Sequence, residues 1–463
     1  MPVFAGCALI LLALWWGVNA MRHQDALFFL RMFRAPSADA PVAKESEEPW
    51  YRQILTGLWT NSASDADRRQ RSVVDAGQIH LLYVTQPGTD GRMGLSSRLF
   101  VTREAPNVVS AKLMTEVGKH MQTSFAEGLR YVGKLPRAWE KEFSIRLSFE
   151  DKFTSKDGGS AGTGFTIAML AAIQNIALDP EVAVTGDLTV DGSVQPVGCV
   201  IEKLRGAIVG KCKIAMIPER NSRELTDMAL LDGTSPLWEM QVFSISTIEQ
   251  ALGIARRDRT EKSRNAIVRF NALRMRLPQI VTPNYLLSPV VKAELEQVLL
   301  DAPNHLTAAA LLRAAANQLP HELSLNRSVE EILATSHLFV DSVVNPPKYG
   351  SSSGGKGLTI FPEREYGECL KTLQRLTPIL DRRSVELKSN CIGYATALRA
   401  VWHYHPPDAN GFRSQQQWAD SMQRERRFQE QTKENLEDAR SRLQLSLRKL
   451  DTDGSLMLEL EKQ

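Results

Sequence analysis

Cysteine is scarce. Five residues in 463 (Cys7, Cys199, Cys212, Cys369 and Cys391) stand at no spacing that would frame a disulfide scaffold or a zinc finger. An excess of one charge sign is lacking too. The chain has 56 Lys and Arg against 53 Asp and Glu, a net +3, too little to draw so long a chain onto nucleic acid by its field, so no nucleic-acid partner is expected. With 43% hydrophobic and 24% charged residues, the composition excludes a collagen-like or broadly disordered chain. The length calls for more than one domain.

What is present begins with an uncharged apolar run at residues 3–21 (VFAGCALILLALWWGVNAM), which at ~1.5 Å per residue reaches roughly the thickness of a bilayer core. Trp15 and Trp16 suit an interfacial belt, and Arg22, Arg31 and Arg34 follow the run while no Lys or Arg precedes it. The expectation is an N-terminal hydrophobic helix that associates the chain with a membrane, the side being open. A cleavable signal segment ending near Val18-Asn19-Ala20 is the competing reading. The polar stretch 35–75 reads as a flexible tether.

From residue 76 to 258, strand and helix signals alternate as in an α+β domain. Residues 78–85, 98–102 and 143–149 read as strands, and 109–132 has a helical period through Leu113, Met114, Val117 and Met121. The segment 164–178 is apolar almost all round, which predicts a buried helix. A bent strand at 182–190 and a helix from Val200 follow, then strands at 213–218 and 241–246, each with a helix after it. From 259 to 463 helix follows helix. Residues 287–320 resemble one tetratricopeptide-type helix pair, without a second copy at a fixed period. A long charged helix is expected at 414–450.

The glycine-rich stretch KDGGSAGTGF (156–165) surrounds Ser160. It satisfies G-x-S-x-G, but a nucleophile elbow needs the strand to run straight into the serine. Here ten residues separate the strand ending near Phe149 from Ser160. Every histidine downstream of Ser160 (His305, His321, His337, His403 and His405) lies in the helical half. A different base is at hand. On the helix VIEKLRGAIVG, Lys203 has Val200 and Ala207 on its own face, and desolvation there would favour a neutral amine able to take a proton from a serine. The bland alternative is a surface lysine whose stem covers apolar neighbours.

The stretch 155–224 closely resembles the proteolytic domain of Lon proteases. The likeness is carried by KDG and SAG around Ser160, VAVTGDLTVDGSVQPVG ahead of the lysine, EKLRGA around Lys203 and IAMIPERN after it. It extends over about residues 75–258. The resemblance implies an α+β Lon-type proteolytic domain with Ser160 as nucleophile and Lys203 as general base. It also implies a supporting hydroxyl from Thr185, with Asp157, Gly158 and Gly159 shaping the serine loop. It departs from the family at Ser155 and Gly159, where prolines are usual, at Lys152-Phe153, and at Cys199, which takes a glycine's place.

The organisation expected is therefore a membrane anchor or signal segment (1–34), a tether (35–75), a Lon-like serine protease domain (76–258) and a mostly α-helical C-terminal region (259–463). No ATPase module is recognised ahead of the domain. The G-x-x-x-x-G-K match at 350–356 has Gly357 where a magnesium-binding Ser or Thr belongs, and no strand precedes it, so it reads as a loop. His403 and His405 lack a third ligand nearby, and neither a metal nor a cofactor is expected. The reading is an ATP-independent serine endopeptidase acting on unfolded or flexible polypeptides, self-associating as Lon domains commonly do in hexameric rings. The alternatives are a non-catalytic scaffold that binds partner proteins through its helical half, and a serine esterase.

Overall fold

Alternating apolar residues open the fold. In β1 (Val74–Thr85) and β2 (Met93–Glu104), Ile79, Leu81, Leu99 and Val101 turn inward, and the strands pair antiparallel with Ile79 opposite Leu99. The computed structural model describes residues 74–85, 92–104, 111–135, 143–151, 156–276, 283–344, 363–402 and 414–450, all within one compact unit, Arg69–Gln463. A short β3 (Ala111–Leu113) precedes α1 (Lys119–Lys134), and β4 (Ser144–Phe149) buries Ile145, Leu147 and Phe149 while Arg146 faces solvent.

The helical period read at 109–132 is corrected ahead of Lys119. Residues 111–113 are a strand, parallel to β4, and Met114 N donates to Leu147 O at 2.7 Å. Met114 is 51% exposed, so its apolar side chain marked no buried helical face. The helix starts only at Lys119, where Asp157 packs so closely on Gly118 that a Cβ there would lie 2.2 Å from the Asp157 Cγ.

Next, α2 (Gly162–Gln174) is buried at every position from Gly162 to Ile173, as its unbroken apolar composition predicts. The chain continues through β5 (Val182–Val184), the small β6 (Asp187–Leu188) and β7 (Val194–Gln195) pair, α3 (Val200–Val209), β8 (Ile214–Pro218), α4 (Arg223–Asp232), α5 (Ser235–Glu239), β9 (Gln241–Ile245) and α6 (Ile248–Ala255). The main sheet runs β3-β4-β2-β1-β5-β8-β9. Strands β5, β8 and β9 are buried throughout and pair parallel, which is why β5 and β8 read as continuous apolar runs, while β9 also buries Gln241 and Ser244.

Helices follow: α7 (Glu261–Met275), α8 (Pro283–Leu287), α9 (Pro289–Asp301) and α10 (Leu306–Ala315). Phe270, Leu295 and Leu311 from this group join the same hydrophobic cluster as the sheet. A second cluster unites α11 (Leu325–Val344), α12 (Glu363–Leu376), α13 (Val385–Trp402) and α14 (Gln415–Leu450) through residues such as Phe339, Leu373, Leu387 and Leu443.

The membrane-associated localisation expected from the sequence is corrected. Among the described residues no helix is long and apolar enough to cross a membrane. The most apolar, α2, has 13 residues, some ~20 Å of helix against a ~30 Å hydrocarbon core, and the 36-residue α14 is charged along its length. The apolar run at 3–21, residues 35–73 of the tether expected at 35–75, the glycine-rich 350–356 stretch and His403-Tyr404-His405 lie outside the described residues, while Val74 and Asp75, read as the end of the tether, already belong to β1.

Candidate functional site

Ser160 does not stand on an elbow. β4 ends at Phe149, and the serine falls in a 3-10 turn, Gly159–Ala161, that leads straight into α2. Two backbone bonds fix this turn to the segment after β5: Gly186 N donates to Ser160 O at 3.0 Å, and Thr163 N donates to Gly186 O at 3.1 Å. Gly158 has φ +111°, a conformation that side chains with a Cβ rarely adopt, and this sets the approach to the serine.

Asp157 holds the loop from the other side. Its Oδ1 accepts from Met121 N at 3.0 Å and from its neighbour Gly158 N at 2.8 Å, so it caps the start of α1 in place of a local side chain. Burial opposes its ionisation, yet the Met121 and Gly158 amides outweigh that and hold its carboxyl below the ordinary value. Asp157 thus has a structural task in the fold, whatever else it does.

Lys203 is 6% exposed, on α3 among Val200, Ile201, Leu204 and Ala207, each 0% exposed. The apolar face legible in VIEKLRGA is real. Two glycines bring this helix against β2, backbone to backbone. A Cβ on Gly94 would sit 1.6 Å from the Glu202 carbonyl oxygen, and one on Gly206 2.4 Å from the Gly94 carbonyl carbon. Cys199 begins the helix in the left-handed region at φ +56° and accepts from Arg92 Nη1 at 3.1 Å. Burial pushes its thiol up to about 11.

Ser160 and Lys203 line one cleft of about 360 Å³. Asp157, Gly158, Gly159, Asp187 and Cys199 share its walls, and Tyr83, Val84, Pro196 and Val197 add an apolar side. Thr185 is not among the lining residues. It is fully buried behind β5, and among the described residues its Oγ1 has no hydrogen-bond partner.

Several contributors escaped the sequence reading. Asp187 faces the serine turn, and a Cβ on Gly159 would lie 2.8 Å from its Oδ2. Burial raises its carboxyl above the ordinary range, against the bonds from Leu188 N and Ser124. Ser124 Oγ donates to Gly159 O at 3.0 Å and reaches Asp187 Oδ1 at 3.4 Å, tying α1 to the turn. Lys156, 2% exposed, donates to Asp151 O at 2.8 Å and lies over the rings of Phe149 and Tyr83 at 5.3 and 5.6 Å. Asp187 and Lys156 stand inside the motifs around Ser160 and ahead of Lys203, which was the available signal; Ser124 had none. His305 proves to be a core residue. Its Nδ1 accepts from Ala308 N and its Nε2 meets Gln241 Oε1 at 3.0 Å, and burial lowers it to about 3.

Comparison with known proteins bears on the segment that carries this cleft. Residues 105–256 match the Lon protease (S16) C-terminal proteolytic domain. The Lon protease of Vibrio parahaemolyticus is 34% identical over 117 residues, 25% of this chain and 14% of that protein. That of Rhizobium meliloti is 40% identical over 84 residues, 18% and 10%. The archaeal Lon protease of Thermococcus kodakarensis is 31% identical over 120 residues, 26% and 18%. The chain therefore spans less than a fifth of the length of each of these relatives. What it shares with them is one unit: over residues 105–256 this chain carries a proteolytic domain of the Lon type.

Proposed function

We propose that this domain is a serine endopeptidase whose Ser160 and Lys203 act as a dyad. The observation behind the reading is their convergence on one cleft, with the lysine buried among apolar side chains. Burial disfavours an ammonium, and a neutral amine is the form that accepts a proton. Ser160 Oγ attacks the peptide carbonyl carbon while its proton passes to Lys203 Nζ. The C–N bond then breaks, and the leaving amine takes that proton. Water hydrolyses the resulting ester with Lys203 again as base. Thr163 N is engaged by Gly186 O and Gly162 N by Gly159 O, so we assign the oxyanion to the amides of the serine turn itself, at Ser160 and Ala161. We assign to the orphan Thr185 hydroxyl the task of accepting from the Lys203 ammonium, since leaving such a group unpaired costs about 1–3 kcal/mol.

The step consumes only water, so we place no nucleotide requirement on it. A cleft of this size takes an extended segment, and the substrates we infer are unfolded or flexible polypeptides. Self-association is carried over from the resemblance.

The test is casein hydrolysis by the full chain, with and without ATP, beside Ser160→Ala and Lys203→Met. Hydrolysis that survives ATP removal and disappears in both variants, while both keep the wild-type melting profile, is expected. Equal behaviour of all three proteins would overturn the reading and leave the scaffold alternative. Ester turnover retained by Lys203→Met would favour an esterase.

A further inference from the structure

We propose that Arg327, which lies outside the Lon-like span, is a positioning residue for the helix that carries Lys203. The inference rests on the dyad reading above. Arg327 stands in the first turn of α11 with its side chain 3% exposed. Its guanidinium grips the Glu202 carboxylate with both arms, Nη2 to Oε1 at 2.6 Å and Nη1 to Oε2 at 3.1 Å. It also donates to Glu330 and Glu331 on its own helix. Glu202 is the residue immediately before Lys203.

The clasp is anchored on both sides. Ser324 Oγ accepts from Arg327 N at 3.2 Å, and Ser324 N donates to Asp227 Oδ1 at 3.1 Å, so the start of α11 is fixed to α4. Asp227 itself is 0% exposed. Across the helix, the Glu202 backbone presses on Gly94 of β2. One residue is thus held by its main chain from the sheet and by its carboxylate from the C-terminal helices.

Consecutive residues on a helix are set ~100° apart. With Glu202 fixed, the rotation of α3 about its axis is fixed, and with it the direction in which Lys203 leaves the helix. At 10 residues, α3 is short enough for a grip at one residue to set that angle. At a side-chain radius of ~5–6 Å, a turn of roughly 10° moves the lysine by about 1 Å. Displacements of that size cost on the order of 10²-fold in rate when they separate a nucleophile from its base. The C-terminal helices are then part of the catalytic geometry.

Arg327→Lys is the perturbation of choice, because it keeps the charge and loses the planar fork. The full chain would be assayed on a fluorogenic peptide for kcat, KM and the pH dependence of kcat, with melting followed in parallel. The expected result is a fall in kcat of at least ~10-fold with KM within about threefold. The acid limb of the pH profile should move by ~0.5 unit or more, because the base has changed surroundings while the nearby charge has not. Arg269→Lys, which alters the more exposed, single-contact Arg269–Glu294 pair at 2.7 Å between α7 and α9, should leave kcat and the profile unchanged. Should Arg327→Lys fail to fold, Glu202→Asp carries the same expectation, since it shortens the gripped side chain. Wild-type kcat and pH profile in a folded Arg327→Lys or Glu202→Asp would overturn the clasp alone. Absence of Ser160-dependent hydrolysis in the wild type would overturn the dyad reading, and the clasp with it.

Discussion

Gly94→Ala places a methyl group where the structure has no room for one. Its Cβ would stand 1.6 Å from the Glu202 carbonyl oxygen, 2.3 Å from the carbonyl carbon and 2.9 Å from Lys203 N. All three are backbone atoms, so no side chain can swing away. Since Cβ atoms essentially never approach closer than 3.0 Å, β2 and α3 must part by about 1.4 Å. Forcing atoms into so tight a contact costs about 1–3 kcal/mol, or several degrees in melting temperature for a unit of this size. The consequence for chemistry is larger. On the proposed dyad, proton transfer from Ser160 to Lys203 needs heavy atoms within about 2.6–3.2 Å, and a shift of an ångström or more costs on the order of 10²-fold. The expected outcome is a folded protein, moderately less stable, whose kcat on a fluorogenic peptide falls by about two orders of magnitude. Thermal unfolding by circular dichroism and initial-rate kinetics on the same preparation measure both. A Gly94→Ala protein with wild-type kcat and melting temperature would refute the argument that this contact sets the lysine's place.

Glu224 offers a test in pH. Burial, joined by Glu330, Asp227 and Glu202 and opposed by Arg327, raises its carboxyl to about 8. The folded state keeps a proton that the unfolded chain has lost, so this contribution is full below about pH 4.5 and is lost as pH rises through about 8. Glu224→Gln should match the wild type in urea midpoint near pH 5 and exceed it near pH 9, by at most roughly 4 kcal/mol; parallel curves would contradict this. Gly133, in the last turns of α1, has open space where an alanine methyl would go, with nothing within 4 Å of that position. Gly133→Ala should therefore raise stability by about 0.4–1 kcal/mol in chemical denaturation without altering hydrolysis, and a loss of stability would count against the reading.

The buried parallel strands and the helix of Lys203 were legible because their burial is written in local apolar runs. β3 was not, because three residues at a sheet edge carry no pattern of their own and Leu113 and Met114 happened to extend a helical period. The serine, the lysine and Asp157 could be named from motif, but the residues that hold the site from distant elements could not. Ser124 reaches Gly159 across 35 positions, and Arg327 reaches Glu202 across 125. A charged residue opposite another charge leaves no periodic trace at such distances. Lys156 carries no sequence signal of burial, and its bond to Asp151 O together with the rings of Phe149 and Tyr83 accounts for it.

The bond from Met121 to Asp157 joins a helix start to the loop that supplies its cap. Opening the serine loop frees that amide to exchange with solvent, so the loop and the first turn of α1 form one cooperative unit. A single backbone hydrogen on Met121, in another element altogether, thereby becomes a clock for how often Ser160 leaves its place.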